Sequence, residues 1–160
     1  MPDNPFKPPD ARVRDQPPAP GSPVRAVLTG LFVDLGGSTL VGLVLAGLYA
    51  ASLAASGMSE SQIDEAMKNV EPTSAFAISG TVLGALCSVA GGYVCARIAR
   101  RDEYRTGGIM AGLSAFFSLL LGGAGSPVDM TVLLTLCTVA CVLLGVKYGR
   151  ETNRRQAAKP

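Results

Sequence analysis

Residues 24–56 read VRAVLTGLFVDLGGSTLVGLVLAGLYAASLAAS, in which Arg25 and Asp34 are the only charged side chains. About 20 helical residues cross a hydrocarbon core about 30 Å thick. This segment exceeds that length and lacks the charged face of a soluble amphipathic helix, so it predicts a transmembrane helix that must tilt or protrude. Three further apolar segments follow, at residues 73–98, 106–122 and 127–146. The sequence therefore predicts an all-α membrane protein with four antiparallel transmembrane helices.

The overall composition agrees with lipid as the solvent. Of the 160 residues, 48% are hydrophobic and only 16% are charged, and the mean hydropathy is +0.34. The net charge is only +2, and the basic residues lie beside the apolar segments, so nucleic acid is not an expected partner. The chain has no histidine and therefore lacks the commonest general base and metal ligand. We expect neither an enzyme nor a cofactor or metal site.

The positions of the basic residues predict the orientation of the chain. All of them except Lys68 lie in the tails, in the loop between the second and third apolar segments, or at the adjoining helix ends. The main topology determinants are Arg97, Arg100, Arg101, Arg105, Lys147 and Arg150. Because cytoplasmic loops are enriched in lysine and arginine, both termini are predicted to be cytoplasmic.

Three segments outside the spans have distinct compositions. Residues 1–23 hold eight of the eleven prolines and predict a disordered cytoplasmic tail, while residues 149–160 form a basic cytoplasmic tail. Residues 58–71 are acidic, and their apolar residues have helical spacing, which predicts an amphipathic helix on the outer surface. Ser59 and Gln62 occupy capping-box positions at its start. Gly57, just before it, is expected to end the first span in a left-handed conformation.

Small residues recur every four positions along the second span and would lie on one face of a helix. These residues are Gly80, Gly84, Ser88, Gly92 and Ala96. Gly108 and Gly112 have the same spacing on the third span, so the first packing prediction is a hairpin of the second and third helices. The pattern favours close packing within the bundle or between copies of the chain, and the alternative is a pore lined by small residues.

Asp34 is the one ionisable residue well inside a predicted span. It lies roughly 13 Å along the helix from Arg25, and a charge at that depth costs about 3 kcal/mol on insertion scales. One interpretation is a functional carboxylate that exchanges a proton or contacts a cation. The other is a structural group that hydrogen-bonds Ser38, Thr39 or a hydroxyl of a neighbouring helix.

The cysteines also fall inside the predicted spans, at Cys87, Cys95, Cys137 and Cys141. Their spacing matches no strong metal-binding motif, and their depth shields them from the oxidation that builds disulfide frameworks. No disulfide is expected.

Two strings resemble known bacterial sequences. Residues 91–100 read GGYVCARIAR and are followed by Gly107, Gly108 and Gly112, which resembles the central hairpin of small, functionally uncharacterised bacterial four-helix membrane proteins. Residues 4–9 read NPFKPP, which is similar to the Asn-Pro-Tyr-x-Pro-Pro start of various bacterial inner-membrane proteins. The resemblance implies a multipass protein of the bacterial inner membrane and carries no activity.

Two functions compete at this level. The first is a non-enzymatic membrane protein that acts by packing against itself or another membrane protein in an assembly, scaffold or regulatory role. The second is a small oligomeric channel or a proton-coupled transporter that uses Asp34. Replacement of Asp34 by asparagine separates them, because transport should collapse while assembly survives.

Overall fold

The computed structural model describes residues 21–122 and 128–158, and every regular element in those ranges is a helix. The elements are α1 (Pro23–Leu31), a π-helical turn (Phe32–Gly36), α2 (Gly37–Ala55), α3 (Glu60–Lys68), α4 (Ala75–Ala99), α5 (Glu103–Gly122) and α6 (Val128–Ala157). The predicted all-α class is confirmed. Residues 1–20, which are most of the tail predicted to be disordered, lie outside the described residues.

Three helical segments of the described chain are long and apolar enough to cross a membrane, namely Pro23–Ala55, Ala75–Ala99 and Val128–Ala157. The first comprises α1, the π turn and α2. This composition supports a membrane-embedded protein. α5 is not among the three.

Local signals set the helix ends. Ser22 caps α1, with Pro23 at the first helical position, where its missing N–H costs nothing. Gly57 ends α2 with φ of +86°, as the sequence predicted. The Gly57 and Met58 N–H groups donate back to the carbonyls of Ala54 and Leu53, the pattern of a Schellman motif.

The predicted capping box at the start of α3 is confirmed, since the Ser59 N–H donates to Gln62 Oε1 at 2.9 Å. At the other end of the molecule, α4 is joined to α5 by a three-residue connection in which Arg100 and Asp102 have φ of 55° and 52°. α6 continues as a helix to Ala157, well past the predicted end of the fourth span and through most of the basic tail.

The helix α4 lies at the centre of the bundle and contacts α1, the π turn, α2, α5 and α6. Its contacts with α1 and α2 pair Gly91 with Gly30 and Gly80 with Leu45, so α4 runs in the opposite direction to them. Its most extensive contact is with α6, which runs in the same direction. The predicted hairpin of α4 with α5 is therefore wrong as the main packing contact. The glycines of α6 allow a closer approach to α4.

Burial divides the bundle into two halves. The closed half comprises residues 23–34, 88–99, 103–114 and 142–157, and every buried residue of the described chain lies in it. The open half comprises residues 35–55, 75–87, 115–122 and 128–141. No residue of α2 is buried. The helices are thus sealed together at one end and separated at the other, and Asp34 lies at the boundary.

Candidate functional site

Asp34 links three parts of the chain at the boundary between the halves. Its side chain is only 3% exposed. Ser88 Oγ of α4 donates to Asp34 Oδ1 at 2.7 Å, and Ser114 Oγ of α5 donates to Asp34 Oδ2 at 2.7 Å. The carboxylate therefore has a hydroxyl donor on each oxygen, from two helices that are distant in sequence.

Asp34 sits in the π-helical turn that interrupts the first span. One extra residue in a turn rotates the following helix by about 100° relative to an uninterrupted α-helix. Residues on either side of the turn can therefore face α4 at the same time: Gly30 approaches Gly91, and Gly37 approaches Cys87. Turns of this kind are frequent at functional sites.

Hydrogen bonding at this site is compatible with both states of the carboxyl group. A carboxylate offers about four lone-pair positions, and two are used by the serines. The Ser88 hydroxyl also lies 3.3 Å from the Gly84 carbonyl oxygen. When Asp34 is protonated, its O–H can donate a hydrogen bond to the Ser88 oxygen. The Ser88 hydroxyl can then donate to the Gly84 carbonyl instead of to Asp34. Neither state leaves a buried polar atom without a partner.

A cavity of about 480 Å³ extends from Asp34 into the open half. Asp34 is the only charged residue among the described residues of its wall, and six others carry hydroxyls: Ser38, Thr81, Ser88, Ser114, Ser118 and Thr138. The volume lies in the range of small-ligand sites, about 300–1,000 Å³. The other ten described lining residues carry neither a hydroxyl nor a charge. A cavity with a single carboxylate and several hydroxyls on an otherwise apolar wall suits a small, positively charged ligand.

The hydroxyls on the wall differ in their availability. Thr81 and Thr138 donate to carbonyls of their own helices, at 2.9 and 3.0 Å, so their hydroxyls can act toward a ligand only as acceptors. The hydroxyls of Ser38 and Ser118 make no hydrogen bond to any residue that the structure describes. Phe76 lies on the cavity wall and stacks on Tyr49 with ring centroids 4.6 Å apart. This ring pair joins α2 to α4 in the open half.

The small-residue positions singled out in the sequence have different environments. Ser88 bonds Asp34, and Gly92 meets the Val142 backbone of α6 so closely that a Cβ atom would clash with it. Gly80 and Gly84 line the cavity. Gly108 and Gly112 are exposed, and a Cβ on either would meet no atom of the described chain within 4 Å. Packing of those two glycines between copies of the chain stays a prediction.

Sequence reasoning missed several residues that build the closed half and the site. Gly145 and Gly149 contact the α4 backbone, and Gly107 contacts Val146. Gly145 and Gly149 are four residues apart, the same spacing that identified the stripe on α4, so this signal was present. Ser114 carries no comparable signal, because only the tertiary structure brings it to Asp34.

The cysteines occupy different environments. Cys137 lines the cavity, whereas Cys95 is fully buried in the closed half. All four are free thiols. Within residues 21–122 and 128–158, no group of three or more Cys, Asp or Glu side chains is placed to hold a metal ion.

The residues predicted to determine the topology lie at the end of the closed half. Arg97 donates to Asn153 Oδ1 at 2.9 Å and Gln156 Oε1 at 2.8 Å, which fastens α4 to α6. The Arg150 guanidinium lies 4.8 Å from the centre of the Tyr104 ring. The other four, Arg100, Arg101, Arg105 and Lys147, are exposed.

Comparisons of the chain with protein-family models, curated proteins and solved structures give no match.

Proposed function

We propose that this chain is a multipass protein of the bacterial inner membrane with four antiparallel transmembrane helices and both termini in the cytoplasm. Three helical segments qualify as spans by length and composition, and α5 supplies the fourth. Arginines lie at the end of the closed half on α1, α4 and the connection to α5. By the positive-inside rule the closed half then faces the cytoplasm and the open half faces outward.

We further propose that the protein is a transporter for a small cation, driven by exchange with a proton on Asp34. One observation carries this proposal: the buried carboxyl group of Asp34 is the only charged group on the described wall of a cavity whose other lining residues are apolar or carry hydroxyls. An intramembrane carboxylate is costly, and a cavity leads to this one in addition to its bonds with Ser88 and Ser114.

The geometry supports mutually exclusive binding of the cation and the proton. A cation in the cavity would contact the carboxylate lone pairs left free by Ser88 and Ser114, together with the hydroxyl oxygens of the wall. Protonation removes the charge of Asp34 and allows Ser88 to donate to Gly84. The protonated site has no counter-charge for the cation, so proton uptake favours cation release.

The test is proton flux in vesicles. Purified protein is reconstituted with a pH-sensitive dye inside, and outward gradients of sodium, potassium or tetramethylammonium chloride are imposed. Vesicles that contain the wild-type protein should take up protons as at least one of these cations flows out. Vesicles that contain D34N should take up protons no faster than empty vesicles. The matched control is D129N, which removes an exposed carboxylate in the first turn of α6. Equal flux in D34N and wild type would refute the role of Asp34.

A second candidate is the packing module without transport. The exposed pair Gly108 and Gly112 favours it, because this spacing lets another helix approach closely. Native mass spectrometry in mild detergent would report a stable homo-oligomer or a co-purifying membrane protein. An assembly that G108L disrupts, with no cation-driven flux in any condition, would favour this function over the transporter. We propose no catalytic activity in either case.

A further inference from the structure

A second concavity, of about 370 Å³, lies at the end of the closed half, far from Asp34. It is lined by Gly21, Ser22, Arg25, Arg97, Ile98 and Arg100. It occupies the junction between the start of α1 and the end of α4. The proposed transport function does not involve it.

Arg25 of α1, Arg97 of α4 and Arg100, which directly follows α4, line this concavity, and no acidic residue among those that the structure describes lines it. Within the described residues, 21–122 and 128–158, the only ion pair joins Arg155 to Glu151 on α6. Arg25, Arg97 and Arg100 therefore have no carboxylate partner within the described chain. Three like charges around one space repel each other, and an anion between them would remove that cost.

Arg97 is held in position before any ligand arrives. It is half-buried, and its Nη1 atom donates to both Asn153 and Gln156. Asn153 is itself fixed, because its Nδ2 atom donates to the Ala96 carbonyl at 3.0 Å. A guanidinium has five N–H donors, so the Nε and Nη2 donors remain. A guanidinium already fixed in place loses little conformational entropy when it binds an anion.

The backbone adds to the site. Gly21 lies so close to the Ile98 carbonyl that a residue with a side chain could not pack at this position against the end of α4. The Ser22 hydroxyl accepts only a long hydrogen bond of 3.4 Å from the Arg25 N–H. It keeps a donor for a ligand.

We propose that this concavity binds a phosphate group, either the phosphodiester of an anionic lipid headgroup or a soluble phosphate ester. Arginine matches phosphate through paired N–H donors, and basic pockets between helices at the cytoplasmic face of a membrane suit anionic headgroups. The three arginines supply the charge, and Arg97 supplies the fixed geometry.

The test measures binding by the full-length protein in dodecyl maltoside. Thermal unfolding and native mass spectrometry are recorded with dioleoyl phosphatidylglycerol, with dioleoyl phosphatidylcholine and with inorganic phosphate. Phosphatidylglycerol should bind and raise the midpoint of unfolding, whereas phosphatidylcholine should not. The variants R25Q and R100Q should each weaken binding about fivefold, as expected for about 1 kcal/mol per basic residue.

The matched controls are R101Q and R105Q, which remove exposed arginines from the same region without touching the concavity. R97Q also loses the bonds to Asn153 and Gln156, so R25Q is the variant that separates binding from folding. If inorganic phosphate displaces phosphatidylglycerol, the ligand is a soluble phosphate; if it does not, the ligand is the lipid. The proposal would be overturned if R101Q and R105Q weakened phosphatidylglycerol binding as much as R25Q and R100Q do. It would also be overturned if the protein bound phosphatidylcholine as well as it binds phosphatidylglycerol or phosphate.

Discussion

The closed and open halves of the bundle use the same small and apolar residues with opposite results. In the closed half, several glycines face backbone on the neighbouring helix, as Gly92 faces Val142 and Gly145 faces Val89. In the open half, Gly36, Gly42 and Gly84 have no atom within 4 Å of a built Cβ. A small residue therefore allows close packing but does not cause it, because the partner helix must also present a small residue or bare backbone at that level. Where it does not, a cavity remains.

The sharpest test of this contrast is thiol labelling, because the expected result is all-or-none. Variants that retain only Cys137 or only Cys95, with alanine at the other three positions, are treated with a charged, membrane-impermeant methanethiosulfonate. Cys137 lines the cavity and Cys95 is fully buried. Since the reaction requires a hydrated thiolate, Cys137 should react in right-side-out vesicles, and Cys95 should react from neither side. Labelling of Cys137 only in inverted vesicles would contradict the proposed orientation.

The next largest effect is expected from G92A. A methyl group at Gly92 would overlap the backbone of Val142, which cannot move without displacing α6. Overpacking of this kind costs about 1–3 kcal/mol, and we expect the upper end of that range. The control is G84A, two turns earlier on α4, where the methyl group would enter open space. Unfolding in detergent by titration with sodium dodecyl sulfate measures both, and equal destabilisation would refute the division into halves.

A smaller effect is expected from S114A. This change removes the donor to Asp34 Oδ2 while the carboxyl group stays buried. An unsatisfied buried polar group costs about 1–3 kcal/mol. S118A, one turn later on α5, removes a hydroxyl that lines the cavity without bonding Asp34 and should change stability little. If the loss comes from Asp34, adding D34N to S114A should restore part of the stability, whereas an additive double variant would exclude this coupling.

The smallest effect is expected at adjacent positions in α5. A methyl group at Gly107 would meet the side chain of Val146, whereas one at Gly108 would meet nothing. A side chain can shift more easily than backbone, so G107A should cost about 1 kcal/mol, the lower end of the overpacking range. G108A should be neutral or slightly stabilising, because alanine favours helix over glycine. The same titration measures the stability of both variants. A larger loss of stability in G108A than in G107A would mean that α5 packs on α6 through Gly108 and not through Gly107.

The helix ends and the membrane-like composition were predictable because their signals are local. Gly57 ends α2 as expected, and Ser59 with Gln62 opens α3. The same local reasoning identified Asp34 as the unusual residue, and one of its two interpretations anticipated hydroxyl partners from a neighbouring helix. It could not identify Ser88 and Ser114 as those partners, or the π turn that positions Asp34.

The main packing contact was not predictable for a related reason. The helix α4 is apolar on nearly all sides, so hydropathy leaves its rotation about its own axis undetermined. The regular spacing on α4 and the pair on α5 favoured a hairpin of these helices, yet the tighter contact is with Gly145 and Gly149 of α6. The pair Gly108 and Gly112 on α5 has the same spacing as the pair Gly145 and Gly149 on α6, but only the pair on α6 contacts the backbone of α4.

The sequence by itself determined the helical segments, several of their ends, the clustering of arginines near one set of those ends, and the presence of one carboxylate inside an apolar segment. It did not determine the end of α6, which continues to Ala157. These features depend on residues a few positions apart, whose hydropathy, capping and charge act without the rest of the chain. Only the tertiary structure decided that the bundle closes at one end, that two serines 54 and 80 residues from Asp34 hold its carboxyl group, and that a cavity leads to it. The reason is that helix rotation and close approach depend on both partners of each contact, and an apolar helix surface leaves them open until the partner is in place.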